Sequence, residues 1–154
     1  MVHLTRRYGF CAAHRLHNEN LTAEENTRIY GKCNSPYGHG HNYALEVTLV
    51  GPVDPATGMV CNLALLDGAV EKEVLERFDH LNLNLDVENF RSRVPTTENL
   101  CVEIFRLLRE KLACGALCTA RLERVRLEET HSNFFEYEGE PGGSERCAKT
   151  RGNT

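Results

Sequence analysis

The stretch "HNYALEVTLVG", residues 41–51, constrains the fold of this chain more than any other. Its apolar residues Tyr43, Leu45, Val47 and Leu49 recur at every second position, a period that puts them on one side of a β-strand and on no single face of a helix. A second alternating segment, "VHLTRRYGF", carries Val2, Leu4, Arg6, Tyr8 and Phe10 on one face and reads as a strand running to about His14. Near the other end, "ARLERVRLEET" and "NFFEYEGE" alternate again and read as a closing pair of strands.

Helical patterns lie between them. "LTAEENTRIYG" sets Thr22 three residues before Glu25, the spacing of a capping box, and ends at Gly31. Positions 64–78 carry Leu65, Ala69, Val70, Val74 and Phe78 at helical spacing. "PTTENLCVEIFRLLREKLACG" opens on proline and threonine, lines up Leu100, Ile104, Leu107, Leu108 and Leu112, and closes at Gly115. "DPATG" is a tight turn, and "DHLNLNLDVENF" is a loop rich in asparagine and aspartate. Antiparallel strands with helices segregated between them give a single α+β domain over residues 1–140. The small, polar tail at 141–154 reads as disordered.

With 154 residues the chain is long enough for one real core. A net charge of −4 and scattered basic residues argue against nucleic acid as a partner. No stretch approaches the roughly 20 apolar residues of a membrane helix, so no membrane is expected either. Seven cysteines, an odd count without an apolar leader, suggest reduced thiols in the cytoplasm. There is no CxxC pair, and Cys114 and Cys118 read as small apolar fillers.

Chemistry concentrates in "GKCNSPYGHGHNY", residues 31–43. On a strand, His39 and His41 face the same way, about 6.6 Å apart, with Gly40 leaving the approach between them clear. His14, at the end of the first strand, can supply a third imidazole if the two strands pair. Three imidazoles with a vacant fourth position is the donor set of catalytic zinc. Cys33 is open to two readings, a fourth ligand closing a structural site or a thiolate held beside an open metal. Asp79 and His80, adjacent in "RFDHLN", suit a proton relay provided a loop lets neighbours act together; a helix-terminal histidine is the plainer alternative. His3, His17 and His131 have no such support and read as structural.

Taken in order, "AAHRL", "GKCNSPYGHGHNY", "DPATGMV", "DHLNLN", "PTTEN" and "EETHSN" resemble the 6-pyruvoyltetrahydropterin synthase family from about Arg6 to Glu140. The resemblance implies the tunnelling fold (T-fold), a four-stranded antiparallel sheet with two helices on one face. It also implies a homohexamer built as a dimer of trimers, with sites between subunits. On the matching positions, His14, His39 and His41 would bind one zinc per subunit. Cys33 would be the catalytic acid or base, with Asp79 and His80 completing the relay. Glu129 would anchor the pterin, and Thr97 and Glu98 would lie near the same pocket. The implied reaction takes 7,8-dihydroneopterin triphosphate, eliminates triphosphate and tautomerises to 6-pyruvoyltetrahydropterin, with Mg²⁺ as a helper for the triphosphate.

"DHLNLN" and "PTTEN" resemble the sister 6-carboxytetrahydropterin synthase branch equally well, whereas "GKCNSPYGHGHNY", "DPATGMV" and "EETHSN" lean to the pyruvoyl branch. A non-catalytic zinc-stabilised binding module is the reading from a different class. The chain departs from the family where Cys11 stands in place of a usual serine, and where Leu65 replaces a helix-start aspartate.

Overall fold

A computed structural model describes residues 1–113 and 120–140. The two long alternating segments form β1 (Val2–His14) and β2 (His39–Gly51), which pair antiparallel along their whole length, from Val2 opposite Gly51 to His14 opposite His39. β2 also pairs antiparallel with β4 (Arg121–Thr130), and β4 with β5 (Asn133–Tyr137). With the two-residue β3 (Leu81–Asn82) at one edge, the sheet order is β3-β1-β2-β4-β5. Four long strands are thus antiparallel as expected. The sheet is nevertheless five-stranded and mixed, because β3 (Leu81–Asn82) adds a two-residue parallel edge against Ala12 and Ala13. A two-residue strand has no period of its own, so nothing in "DHLNLN" announces it.

Among the described residues, three helices of more than one turn accompany the sheet. α1 (Ala23–Tyr30) has the capping box that Thr22 and Glu25 predict. α2 (Leu63–Val70) runs on through a π-helical stretch, Glu71–Leu75, and a last turn, Glu76–Phe78. α3 (Thr97–Ala113) buries all five residues of the predicted stripe. Gly115, Cys114, Cys118 and the 141–154 tail lie outside the described residues.

The core lies between one face of the sheet and α2 and α3. Leu45, Val47 and Leu49 of β2, Val125 and Leu127 of β4, and Leu100, Ile104 and Leu108 of α3 are all fully buried. A leucine buried this completely stabilises the fold by about 1.5–3 kcal/mol through removal of apolar surface from water. The opposite face of β1 and β2 carries Thr5, Arg7 and Glu46, so one face of the sheet is dry and the other polar.

In α2 one residue departs from the reading. Leu65 is 44% exposed, and Leu66 next to it takes the core position. The aspartate missing at Leu65 leaves no uncapped helix end, since the Asn62 side chain accepts the Ala64 N–H at 3.0 Å. Asp67, one turn on, ties the helix to β1 by accepting from Arg6 at 2.9 and 3.1 Å and from Tyr8 at 2.8 Å.

Candidate metal centre and adjoining site

The pairing of β1 with β2 puts Ala12 opposite His41 and His14 opposite His39. Residues directly opposed in a ladder point to the same face, and here it is the core face. The three rings stand edge-on to one another, with centroids 4.6, 5.1 and 4.9 Å apart and interplanar angles of 69°, 82° and 84°. His14 Nε2 and His39 Nε2 are 3.0 Å apart. One ligand atom from each of the three histidines lies within 4.8 Å of the other two, so the trio could hold a metal ion.

Local chemistry prepares these rings. The His14 Nδ1 is 2.8 Å from the Pro95 carbonyl, which can only accept. His14 therefore carries its proton on Nδ1 and presents the Nε2 lone pair to the cluster, the orientation that a carbonyl partner fixes for metal-binding histidines. Burial first, and its neighbours His39 and His41 second, lower the pKa of His14 even against the Pro95 bond. Burial and His41 lower His39 likewise. His41 Nε2 is buried without a hydrogen-bond partner among the described residues. A buried imidazole nitrogen left unpaired costs free energy unless something outside the chain fills its lone pair, and a cation is the group that the donor set fits.

Two glycines in the motif differ in purpose. At Gly38 the backbone has φ +69°, and a Cβ would come 2.9 Å from the His14 carbonyl oxygen, so only glycine lets the chain turn there into β2. A Cβ at Gly40 would make ordinary contact at 3.5 Å with the Ala12 carbonyl oxygen, on the face away from the histidines. Gly40 does not keep the ligand approach clear, contrary to the expectation from spacing.

Glu129, the penultimate residue of β4, lies beside the histidines, its Oε1 3.6 Å from His41 Nε2 and 4.0 Å from His14 Nε2. The β4–β5 register shifts between Glu128 and Thr130, so Glu129 sits on an irregularity of the ladder. Such bulges re-aim a side chain. Thr97 Oγ1 donates to Glu129 Oε1 at 2.5 Å and Asn133 Nδ2 donates to Oε2 at 2.8 Å. Burial pushes the Glu129 carboxyl up, but these two hydrogen bonds and the neighbouring His41 and His14 outweigh it and leave the pKa lowered. Asn133 was missed in the sequence; the signal available was its place opposite Thr130 across a two-residue turn. Thr97 is buried in the first turn of α3, whereas Glu98 beside it is exposed.

Cys33 lies in a 3₁₀ turn, Gly31–Asn34, and its carbonyl accepts the Leu16 N–H at 2.9 Å. Arg15 holds the same turn by donating to the backbone and side-chain oxygens of Asn34 at 3.0 and 2.8 Å. The turn is thus moored next to His14, yet the Cys33 sulfur does not join the histidine cluster. Asp79 and His80 form a second group at the β3 edge, with His80 Nδ1 3.0 Å from Asp79 Oδ2. The residue His80 adopts φ +60°, and this left-handed backbone is what lets two neighbours share a side. Within one chain, Asp79 and His80 group with Cys11 and not with Cys33.

The sequence profile of the family described as 6-pyruvoyl tetrahydropterin synthase matches residues 3–140. The chain belongs to that family. It is 45% identical over 137 residues to the 6-pyruvoyl tetrahydrobiopterin synthase of Homo sapiens, covering 89% of this chain and 91% of the human one. The solved 6-pyruvoyl tetrahydropterin synthase of Caenorhabditis elegans superposes with a TM-score of 0.83 at 43% identity, covering 90% of this chain and 96% of that one. The 6-carboxy-5,6,7,8-tetrahydropterin synthase of Rickettsia felis is 28% identical over 151 residues, covering 88% of this chain and 99% of its own. At similar coverage, the likeness to the pyruvoyl branch is much the stronger.

Proposed function

We propose that this chain is a zinc-dependent 6-pyruvoyltetrahydropterin synthase, a carbon–oxygen lyase acting on 7,8-dihydroneopterin triphosphate. The observation that carries this reading is the meeting of two different sites at one place. Three converging imidazoles, one with an unpaired nitrogen, stand beside a carboxylate whose pKa is lowered, with His41 at 3.6 Å and His14 at 4.0 Å from it. Family likeness at 45% identity supports the pyruvoyl product over the carboxy product.

In this reading His14, His39 and His41 hold zinc through ring-nitrogen lone pairs: burial lowers the pKa of His14 and of His39, and the Pro95 carbonyl turns His14 so that Nε2 faces the cluster. Bound there, zinc supplies Lewis-acid polarisation of the substrate's side-chain hydroxyls, which acidifies the adjacent C–H bonds. Glu129 accepts the pterin's amino group and ring N–H as a planar pair of donors, held in place by Thr97 and Asn133. Thr97 acts through Glu129, and Glu98 is retained only as a residue of the rim. Cys33 moves a proton at the substrate side chain as acid or base, and Asp79 with His80 exchanges that proton with solvent.

Cys33 and the Asp79–His80 pair are separate within one chain. The reading therefore has them meet across subunits of a hexamer, where β-edges join into closed barrels. Mg²⁺ as a helper rests only on the general chemistry of triphosphate, and the cytoplasm only on the cysteine-rich composition. Incubation with 7,8-dihydroneopterin triphosphate, followed by product mass, tests the assignment. The pyruvoyl mass is expected. The carboxy mass would transfer the chain to the sister activity, and unchanged substrate would leave only a zinc-stabilised binding module.

A further inference from the structure

The polar face of the sheet carries a second set of ligand-type side chains. Cys11 and Ala12 are neighbours on β1, so they point to opposite faces. Ala12 is buried on the histidine side, opposite His41, whereas Cys11 lies opposite Asn42 and is half-exposed. Across the β1–β3 edge, the His80 N–H donates to the Cys11 carbonyl at 2.6 Å and the Cys11 N–H donates to Asp79 Oδ1 at 2.8 Å. These two bonds clamp the Asp79–His80 turn against Cys11. One ligand atom each from Cys11, Asp79 and His80 lies within 4.8 Å of the other two.

We propose that Cys11, Asp79 and His80 form a second site, for a thiophilic divalent cation such as zinc, cobalt or cadmium, on the sheet face opposite the three histidines. One thiolate, one carboxylate and one imidazole make a donor set that selects zinc-like cations over magnesium or calcium. The 78% exposed His80 ring, hinged on its Nδ1 contact with Asp79, can turn to bring the atoms onto one ion. Asp79 already has the charge the site needs, because the Cys11 N–H, against a smaller burial cost and with help from His80, holds its pKa below the usual range. A groove of about 520 Å³, lined by Cys11, Gly40, His41, Asn42, His80 and Asp86 among others, opens onto Cys11 and His80. Binding forms a sulfur–metal bond and releases the Cys11 thiol proton to solvent, so occupancy rises with pH.

Bound cation would tie up the Asp79 carboxylate and the His80 ring. If that pair is the proton relay of the proposed function, excess cation slows turnover. This consequence rests on that reading, but the site itself does not.

Cobalt or cadmium titration of the zinc-loaded full chain tests the proposal, because histidines alone give no thiolate-to-metal charge-transfer absorption. Wild type and Cys33→Ser should take up a further equivalent with a thiolate band. Cys11→Ser should lose the band, and both it and His80→Ala should bind the second equivalent more weakly by at least the roughly 10–100-fold that loss of an outer-shell partner costs. A band that persists in Cys11→Ser would overturn the site, as would full-strength binding in His80→Ala, which would reduce Cys11 to a lone surface thiol. At the cation concentration that gives the band in wild type, turnover should fall in wild type and hold in Cys11→Ser. Unchanged turnover in both would leave the site standing and count against the relay.

Discussion

Glu103 and Glu129 are both acidic residues drawn into the fold with lowered pKa values, yet they are satisfied in different ways. Glu103, on α3, is 4% exposed and bonded to Arg106 at 2.5 and 3.3 Å, Arg93 at 3.2 Å and Asn89 at 2.6 Å. Burial raises its pKa, and the two guanidinium partners more than reverse that. Glu129 has two neutral donors, Thr97 and Asn133, and two imidazoles at 3.6 and 4.0 Å. One carboxylate has its countercharge built into the chain and is structural. The other is positioned by neutral donors with its pKa lowered, and in the proposed function its remaining donor pair comes from the pterin.

The sharpest break in that comparison comes from the histidines beside Glu129. Purified protein should carry about one zinc per chain, and His39→Ala or His41→Ala should lose it, since two remaining imidazoles are too few. Elemental analysis checks this, and full retention in both variants would sink the metal assignment. Cys33→Ala should instead keep the zinc and lose roughly 10²–10⁴-fold in turnover, the usual share of a positioned acid or base. Loss of zinc in that variant would make Cys33 a ligand after all.

Next in size is Glu103→Ala. Removing one partner of a buried ion pair costs about 3–5 kcal/mol when both charges are fully buried, and less here because Arg93 and Arg106 are 36% and 40% exposed. A loss of about 2–3 kcal/mol in denaturant unfolding is expected, with zinc content unchanged. A loss below about 0.5 kcal/mol would mean that Glu103 is no more structural than an ordinary surface pair. Smallest is Thr97→Val, which removes one of the two neutral donors to Glu129. It should destabilise by about 1–2 kcal/mol in the same measurement, and a neutral result would mean that water replaces the hydroxyl.

Much of this was legible because it rests on period or spacing. Strict alternation in β2 located Tyr43, Leu45, Val47 and Leu49, and all four are buried. The same alternation put His39 and His41 on one side, and strand pairing brought His14 to them. What escaped depends on departures from period. β3 is too short to show one, and the Glu128–Thr130 irregularity that sets Glu129 beside Asn133 is invisible to an alternation count. Leu65 and Leu66 are both apolar, so helical spacing alone could not choose which one faces the core. The clamp of Asp79 and His80 onto Cys11 runs through backbone N–H groups, which every residue possesses and no sequence displays.

Pterin affinity in Glu129→Gln, measured by calorimetry alongside zinc content, tests most directly whether Glu129 is the carboxylate left for a ligand. Glutamine keeps the shape but turns one acceptor into a donor, which leaves a mismatched buried pair costing on the order of 1–3 kcal/mol. Affinity should fall by roughly one to two orders of magnitude while zinc stays at one per chain. Unchanged affinity would contradict the assignment, and loss of zinc with the pterin would show that Glu129 serves the metal instead.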